Sequence, residues 1–207
     1  EGSSGPVSFR GNLGYVRSHG QRDNGGSRTL QGDLYLAYRP VADSVWFVDL
    51  HHHDASSGDP GKLSFPQYQA DADQAVTPFN RDWVRRDSVT LGNESELGNG
   101  WRVEAKGWYT HQPLYQRSAP AGPAPTSTTL VDEDFKNEGL DLRFRKRWGK
   151  GNALTFGSVL YHDHAPFLQF TSTDILASRG EHSGTPRLDQ DRDDWYGAIF
   201  AENVFRL

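Results

Sequence analysis

A chain of 207 residues is long enough to bury a sizeable core in one or two domains. Its net charge of −5 and pI of about 5.9 give no sign of a nucleic-acid partner, and the absence of cysteine excludes disulfides, thiolate chemistry and cysteine-ligated zinc or iron–sulfur centres. With no methionine and no apolar leader either, the sequence reads as a processed chain, a fragment or the ordered part of something larger. Apolar runs are only a few residues long, so no helix spans a membrane, but the strands of a membrane barrel never carry such runs. Gly 22, Pro 11 and a supply of 11 Phe, 8 Tyr and 6 Trp favour strands joined by irregular loops.

Eight segments alternate with period two. In 7–16, Val7, Phe9, Leu13 and Tyr15 face away from Ser8, Arg10 and Asn12. Segment 29–38 sets Leu30, Leu34, Leu36 and Tyr38 against Gln31, Asp33 and Tyr35, and 45–52 sets Trp46, Val48 and Leu50 against Asp49 and His51, with Val45 and Phe47 blurring its start. Segment 89–97 opposes Val89, Leu91 and Leu97 to Thr90, Glu94 and Glu96; 101–111 opposes Trp101, Val103 and Ala105 to Arg102, Glu104 and Lys106. The clearest is 138–147, with Leu140, Leu142 and Phe144 against Asp141, Arg143 and Arg145. Segment 153–162 pairs Leu154, Phe156 and Leu160 with Thr155, Gly157 and Tyr161, while 194–203 is apolar on both sides and carries no orientation of its own.

The links alternate too. Short ones (39–44, 98–100, 148–152) follow the second, fourth and sixth segments; long ones, rich in Gly, Pro, Asp and Ser, follow the first, third, fifth and seventh, across 53–88, 112–137 and 163–193 among others. One long link holds APAGPAP at 119–125, and another a helical turn around FPQYQADADQA at 65–75. All long links therefore lie at one end of the sheet, as in an outer-membrane barrel with short periplasmic turns and long outer loops. Ten residues rising roughly 3.3 Å each and tilted about 45° cover roughly 23 Å, close to the apolar band such a barrel needs. Aromatics near segment ends (Tyr15, Tyr38, Trp46, Trp101, Tyr109, Trp148, Trp195) match interfacial girdles. The fold expected is all-β: about eight antiparallel strands of a transmembrane barrel. Eight strands can close, but around a bore filled by their own side chains; the long charges and long loops here fit a segment of a wider barrel.

The chain resembles a TonB-dependent outer-membrane receptor, in particular the ferric-citrate-receptor-like branch of siderophore and iron transporters. The stretches that carry the likeness are SGPVSFRGNLGY with GQRDNGGSRTLQGDLYLAYRP, then VDLHHHDASSGDPGKLSFPQYQADADQAVTPFNRD, and DDWYGAIFAENVFRL. The resemblance implies a 22-stranded barrel in the outer membrane of a Gram-negative bacterium, filled by an N-terminal plug with a TonB-contacting box, and uptake powered through TonB. Neither plug nor box is found in 1–207, so the chain is expected to be a middle part of a receptor that transports nothing by itself. The partners implied are a ferric chelate, the TonB complex through the plug, and outer-membrane lipid with lipopolysaccharide.

The site residues follow from where charge and imidazole fall. Of His51, His52 and His53, only His51 and His53 share a face, and they are too close to clamp one metal tetrahedrally without a partner such as Asp54. His162 and His164 form a similar pair at the tip of the seventh segment. Anionic ferric chelates call for arginines in the outer loops, and the candidates are Arg22, Arg28, Arg81, Arg85 and Arg86. Neither HExxH nor a nucleophile–base arrangement is present, so no catalytic residue, metal site or cofactor is expected, and DQDRDDW (189–195) lacks the glycine and register of a calcium loop. Two other readings stand beside the receptor: a passive channel or small structural or adhesive barrel in the outer membrane, and a soluble sugar-binding sheet with aromatics as platforms.

Overall fold

In the computed structural model, Phe9, Leu36, Val48, Leu91, Gly107, Leu140, Leu160 and Gly197 form one row across eight strands, each the direct cross-strand partner of the next. The strands are β2 (Val7–Ser18), β3 (Ser27–Val41), β4 (Ser44–Gly58), β5 (Arg81–Gly98), β6 (Trp101–Ser118), β7 (Thr128–Trp148), β8 (Asn152–His164) and β11 (Asp193–Val204). Short β1 (Gly2–Ser4) precedes them, β9 (Phe167–Ser172) and β10 (Thr185–Gln190) stand between β8 and β11, and α1 (Phe65–Ala70) occupies the long link after β4. The structure describes residues 1–149 and 151–205; Lys150 of the third short link, and Arg206 and Leu207 of the final stretch, lie outside them.

Every pairing is antiparallel, and the order β1-β2-β3-β4-β5-β6-β7-β8-β11 leaves the sheet open among the described residues. Because side chains alternate strictly, in-register pairing carries one apolar row to one face and the next, Arg10, Tyr35, Asp49, Thr90, Trp108, Gly139, Tyr161 and Tyr196, to the other. The short turns fall at one end. At β5–β6, Asn99 (φ 51°) and Gly100 (φ 75°) supply the left-handed backbone of a two-residue hairpin, and a Cβ on Gly100 would lie 2.4 Å from the Arg147 carbonyl oxygen.

The distribution of burial is reversed from that of a water-soluble sheet. Leu13 is 78% exposed, Leu140 65% and Ile199 91%, whereas Asp141 on the polar face is 5% exposed. An apolar face this extensive marks contact with a membrane or a partner, which disfavours the soluble sugar-binding reading. On that face Tyr38, Trp46, Trp101, Phe144, Phe156 and Trp148 lie towards the short turns, with Phe144 stacked on Phe156 at 5.4 Å. Tyr15, Tyr109 and Trp195 lie towards the loops. Both aromatic sets occupy the places expected of girdles.

The strands run further than the alternation predicted: β4 reaches Gly58, β5 begins at Arg81, β6 reaches Ser118 and β7 begins at Thr128. Beyond the apolar band the contrast between faces disappears, so the period-two signal fades while the hydrogen-bond ladder continues. Hairpin β9–β10, absent from the predicted elements, adds to the edge that β7 frees at residues 128–133 above the end of β8. On the apolar side of these extensions the segment 173–184 folds back over a small core of Tyr115, Leu130, Phe170 and Ala177, with Leu130 and Ala177 fully buried. Burial drives the Tyr115 hydroxyl up to about 12, and the same hydroxyl donates to the Glu181 carbonyl at 3.3 Å.

The outer loops are locked together. Asn24 donates to the carbonyls of Thr77 (2.9 Å) and Asn80 (2.8 Å), the Ala119 amide donates to Asn80 Oδ1 (2.7 Å), and Gly122 N donates to the Val76 carbonyl (2.8 Å). Arg117 spans two loops, donating to the Phe79 carbonyl (2.8 Å) and the Ala177 carbonyl (3.0 Å). Asp82 lies at this level, accepting from Gln116 Nε2 at 3.2 Å, and burial, with the charge of Asp59 adding to it, raises its carboxyl above the ordinary aspartate range. A carboxyl raised on folding stabilises most where both states hold the proton, and that contribution is lost as pH rises from the ordinary value through the raised one. Asp82→Asn is therefore expected to remove this pH dependence and to slow protease nicking of the outer loops at pH 7, with little change at pH 4. Equal nicking of both proteins at pH 7 would contradict the assignment.

Candidate functional site

The polar face is built from paired charges and flat rings. Near the short turns, Arg102 sits among Glu94, Glu96 (3.7 Å) and Glu104 (2.9 Å). Above them Asp141 is held by Arg143 (2.7 Å) and Lys106 (3.6 Å), across strands or two residues along one. Such ladders satisfy long side chains on a wall that faces water. Three rings close gaps over glycines of the adjoining strand: Phe47 over Gly92, Trp108 over Gly139 and Phe200 over Gly157, where an added Cβ would fall 2.1, 2.4 and 2.9 Å from the ring. Phe47 thus belongs to the polar face, which is why it blurred the pattern of its segment. Trp108 Nε1 donates to Asn137 Oδ1 (2.5 Å), Asn137 Nδ2 to Asp163 Oδ1 (2.5 Å), and Tyr161 stacks on Tyr196 at 4.8 Å.

Towards the loops, His51 is fixed between two carboxylates, Nδ1 at 2.6 Å from Asp33 and Nε2 at 3.4 Å from Asp49. They border a cavity of about 390 Å³ completed by Arg10, Asn12 and Tyr35. One step further up, His53 stands in register between Gln31 and Arg86. Arg86 is exposed and has no ion-pair partner among the described residues. Gln31, His53 and Arg86 together present hydrogen-bond donors at the loop end of this face.

The other expected ligand residues are placed differently. Arg22 lies in the loop 19–26 and directs its guanidinium into the 59–80 loop, donating to the carbonyls of Pro60 (3.2 Å), Gly61 (2.6 Å) and Gln74 (2.7 and 3.1 Å). Arg28, Arg81 and Arg85 point to the apolar-face side by register. Arg81 lies 6.0 Å from the Trp83 ring and Arg85 pairs with Asp87 at 2.6 Å. His162 and His164 share that side: His162 stacks on Trp195 at 4.4 Å and meets Asp193 at 2.9 Å, and His164 lies 3.5 Å from Asp191. Asp191, Asp193 and Asp194 of 189–195 are thus occupied by His164, His162 and Arg192 rather than gathered round a cation site, and among the described residues no group of three or more metal-ligating side chains converges. Of the nine expected residues, the structure brings His51, His53 and Arg86 together on the polar face, keeps His162 and His164 as a pair on the opposite side, and separates the rest. Gln31 and the Asp33–Asp49 pair were missed as site residues, although their place in the polar row of 29–38 and 45–52 was readable.

No family model matches the chain. Against solved structures the sheet superposes over nearly its full length. The unliganded ferric citrate transporter FecA is matched with a TM-score of 0.78 at 18% identity, over 97% of this chain and 31% of that one. The fold is that of a TonB-dependent receptor wall. The ferripyoverdine receptor of the outer membrane of Pseudomonas aeruginosa, bound to ferripyoverdine, gives 0.77 at 15% identity over 99% and 32%. The ferric preacinetobactin receptor BauA from Acinetobacter baumannii gives 0.61 at 11% over 95% and 33%. The chain spans about a third of the length of these solved transporters and receptors, in keeping with an open sheet that is one arc of a wider barrel.

Proposed function

We propose that the chain is part of the barrel wall of a Gram-negative outer-membrane receptor that takes up a ferric chelate, with energy delivered through TonB. The observation that carries this reading is a sheet with the receptor-wall fold whose apolar face is bare while its polar face is a ladder of paired charges. In this reading the apolar face meets lipid, the polar face lines the bore, and a plug with its TonB-contacting box lies outside residues 1–207. His53 and Arg86, with Gln31 beside them, contact the chelate where it enters, and His51 is oriented just beneath by Asp33 and Asp49. Arg86 is the suitable cation for a carboxylate-bearing chelate because no carboxylate among the described residues already holds it.

The test uses the intact receptor that carries this chain. Arg86→Ala is expected to weaken binding of ferric citrate about tenfold, the loss of a charge-assisted contact, and Arg85→Ala, on the opposite face, to change it little. Equal effects from the two, or ferric citrate uptake that persists in cells lacking TonB, would remove the proposal in favour of a passive channel.

A further inference from the structure

Asp163 on β8 projects to the polar face, in register with Asn137 on β7 and Asp194 on β11. Like charges directly opposite on a sheet repel. Asp194 is relieved by Arg192, whose Nε lies at 2.5 Å and whose Nη2 reaches the Tyr196 hydroxyl at 3.4 Å. Asp163 has no cationic partner among the described residues. It accepts from Asn137 Nδ2 at 2.5 Å, and the Asn137 carbonyl accepts in turn from Trp108 Nε1 at 2.5 Å. A neutral amide thus orients the carboxylate without cancelling its charge. One row beneath, three rings cross the wall: Trp108 fills the gap over Gly139 beside Tyr161, and Tyr161 stacks on Tyr196 at 4.8 Å. Trp108, Tyr161 and Asp163 are half-buried, so each keeps surface towards the open side of this face. Nearer the loops, Glu133 on the same face of β7 also lacks an ion-pair partner among the described residues.

An unneutralised carboxylate above aromatic rings is complementary to an organic cation, which gains a charge-assisted hydrogen bond from the one and attraction to the ring faces from the other. We propose that Asp163, Trp108, Tyr161 and Tyr196 form a second subsite, which binds an alkylammonium group of the chelate. The inference rests on the polar face lining the bore and deepens the receptor reading by naming the charge class of its cargo: a ferric chelate with an amine as well as carboxylates. Arg86 on β5 and Asp163 on β8 are three strand spacings apart, roughly 14 Å along the sheet. One side of the arc therefore offers a free guanidinium and the other a free carboxylate, so a zwitterionic ligand satisfies both. A purely anionic chelate engages the Arg86 side alone.

The experiment titrates the intact receptor in detergent, by calorimetry, with ferric desferrioxamine, which carries one free alkylammonium, and with the same chelate N-acetylated. The wild type is expected to bind the ammonium form about tenfold more tightly. Asp163→Asn, which keeps the shape and can still accept from Asn137, is expected to lose that preference while binding the acetylated form as the wild type does. Asp163→Glu should keep part of the preference, and Trp108→Leu should reduce it. Binding of neither chelate, no preference in the wild type, or a preference that survives in Asp163→Asn overturns the inference. Arg86→Ala separates the two readings, since it should weaken ferric citrate and leave the ammonium preference intact. A missing ammonium preference with the Arg86 effect on ferric citrate intact strikes the subsite alone; ferric citrate uptake that persists without TonB strikes the receptor reading. Intact heat-modifiability of each variant shows that it folds.

Discussion

Leu142→Arg is expected to destabilise the barrel that carries this chain by about 2–4 kcal/mol, the cost of a cation deep on a lipid-facing strand, and to leave much of it unfolded in the membrane. Leu142 pairs with Ala105 and Ser158 across β6 and β8, neither of which can neutralise a guanidinium. It lies between Leu140 and Phe144 on its own face, far along β7 from the histidines and carboxylates of the loop end. The comparison that gives the experiment its force is the adjoining residue on the opposite face. Arg143 already carries a guanidinium there, bound to Asp141 at 2.7 and 2.9 Å and lying 5.6 Å from the Phe200 ring. One position apart, the same functional group is either tolerated or excluded, and urea titration of the receptor in lipid vesicles should show it. A Leu142→Arg receptor as resistant to urea as wild type would mean that this face does not contact hydrocarbon.

Removing Arg22 is expected to release the 59–80 loop. Its guanidinium makes four hydrogen bonds to three backbone carbonyls of that loop, and no other described side chain reaches the same carbonyls. Bonds to a charged donor contribute about 1.5–3 kcal/mol each when well formed. Because Arg22 is only half-buried and water can replace part of what is lost, a local cost of about 2–3 kcal/mol is the reasonable total. Arg22→Ala should raise hydrogen exchange across 59–80, and through Asn80, which accepts from Ala119 N, in the 119–127 loop as well. Arg22→Lys should not rescue it, since a single ammonium cannot span carbonyls of Pro60, Gly61 and Gln74 together. Exchange unchanged in the alanine variant would show the loop to be held elsewhere, and would reopen Arg22 as a ligand contact.

Several site residues moved because a loop arginine has more than one way to be satisfied. From sequence, Arg22, Arg28, Arg81, Arg85 and Arg86 are alike: basic, polar-flanked and close to strand ends. Register separates Arg85 from Arg86 by sending neighbours to opposite faces, and loop packing absorbs Arg22 into backbone carbonyls. His51 and His53 could be placed together beforehand because period two applies inside a strand. His162 and His164 share a face by the same rule, the one that Leu154, Phe156 and Leu160 already mark as apolar; what the partner strands supplied was their contacts, Trp195 and Asp193 on β11.

What the sequence alone determined was the wall: eight alternating segments, their membrane-scale length, and the sorting of short and long links to opposite ends. These are properties of one strand at a time, set by the two-residue period and by the contrast between hydrocarbon and water. The tertiary structure alone decided whatever needs a neighbour. Pairing with β8 oriented β11, whose segment is apolar on both sides, because Phe200 fills the gap over Gly157 while Ile199 faces out. Pairing with the freed edge of β7 created β9 and β10, and packing over Leu130 folded 173–184 back onto the extensions. A strand's own residues fix which side chains share a face, but only the adjoining strand supplies the backbone partners, gaps and counter-charges that settle which way that face turns.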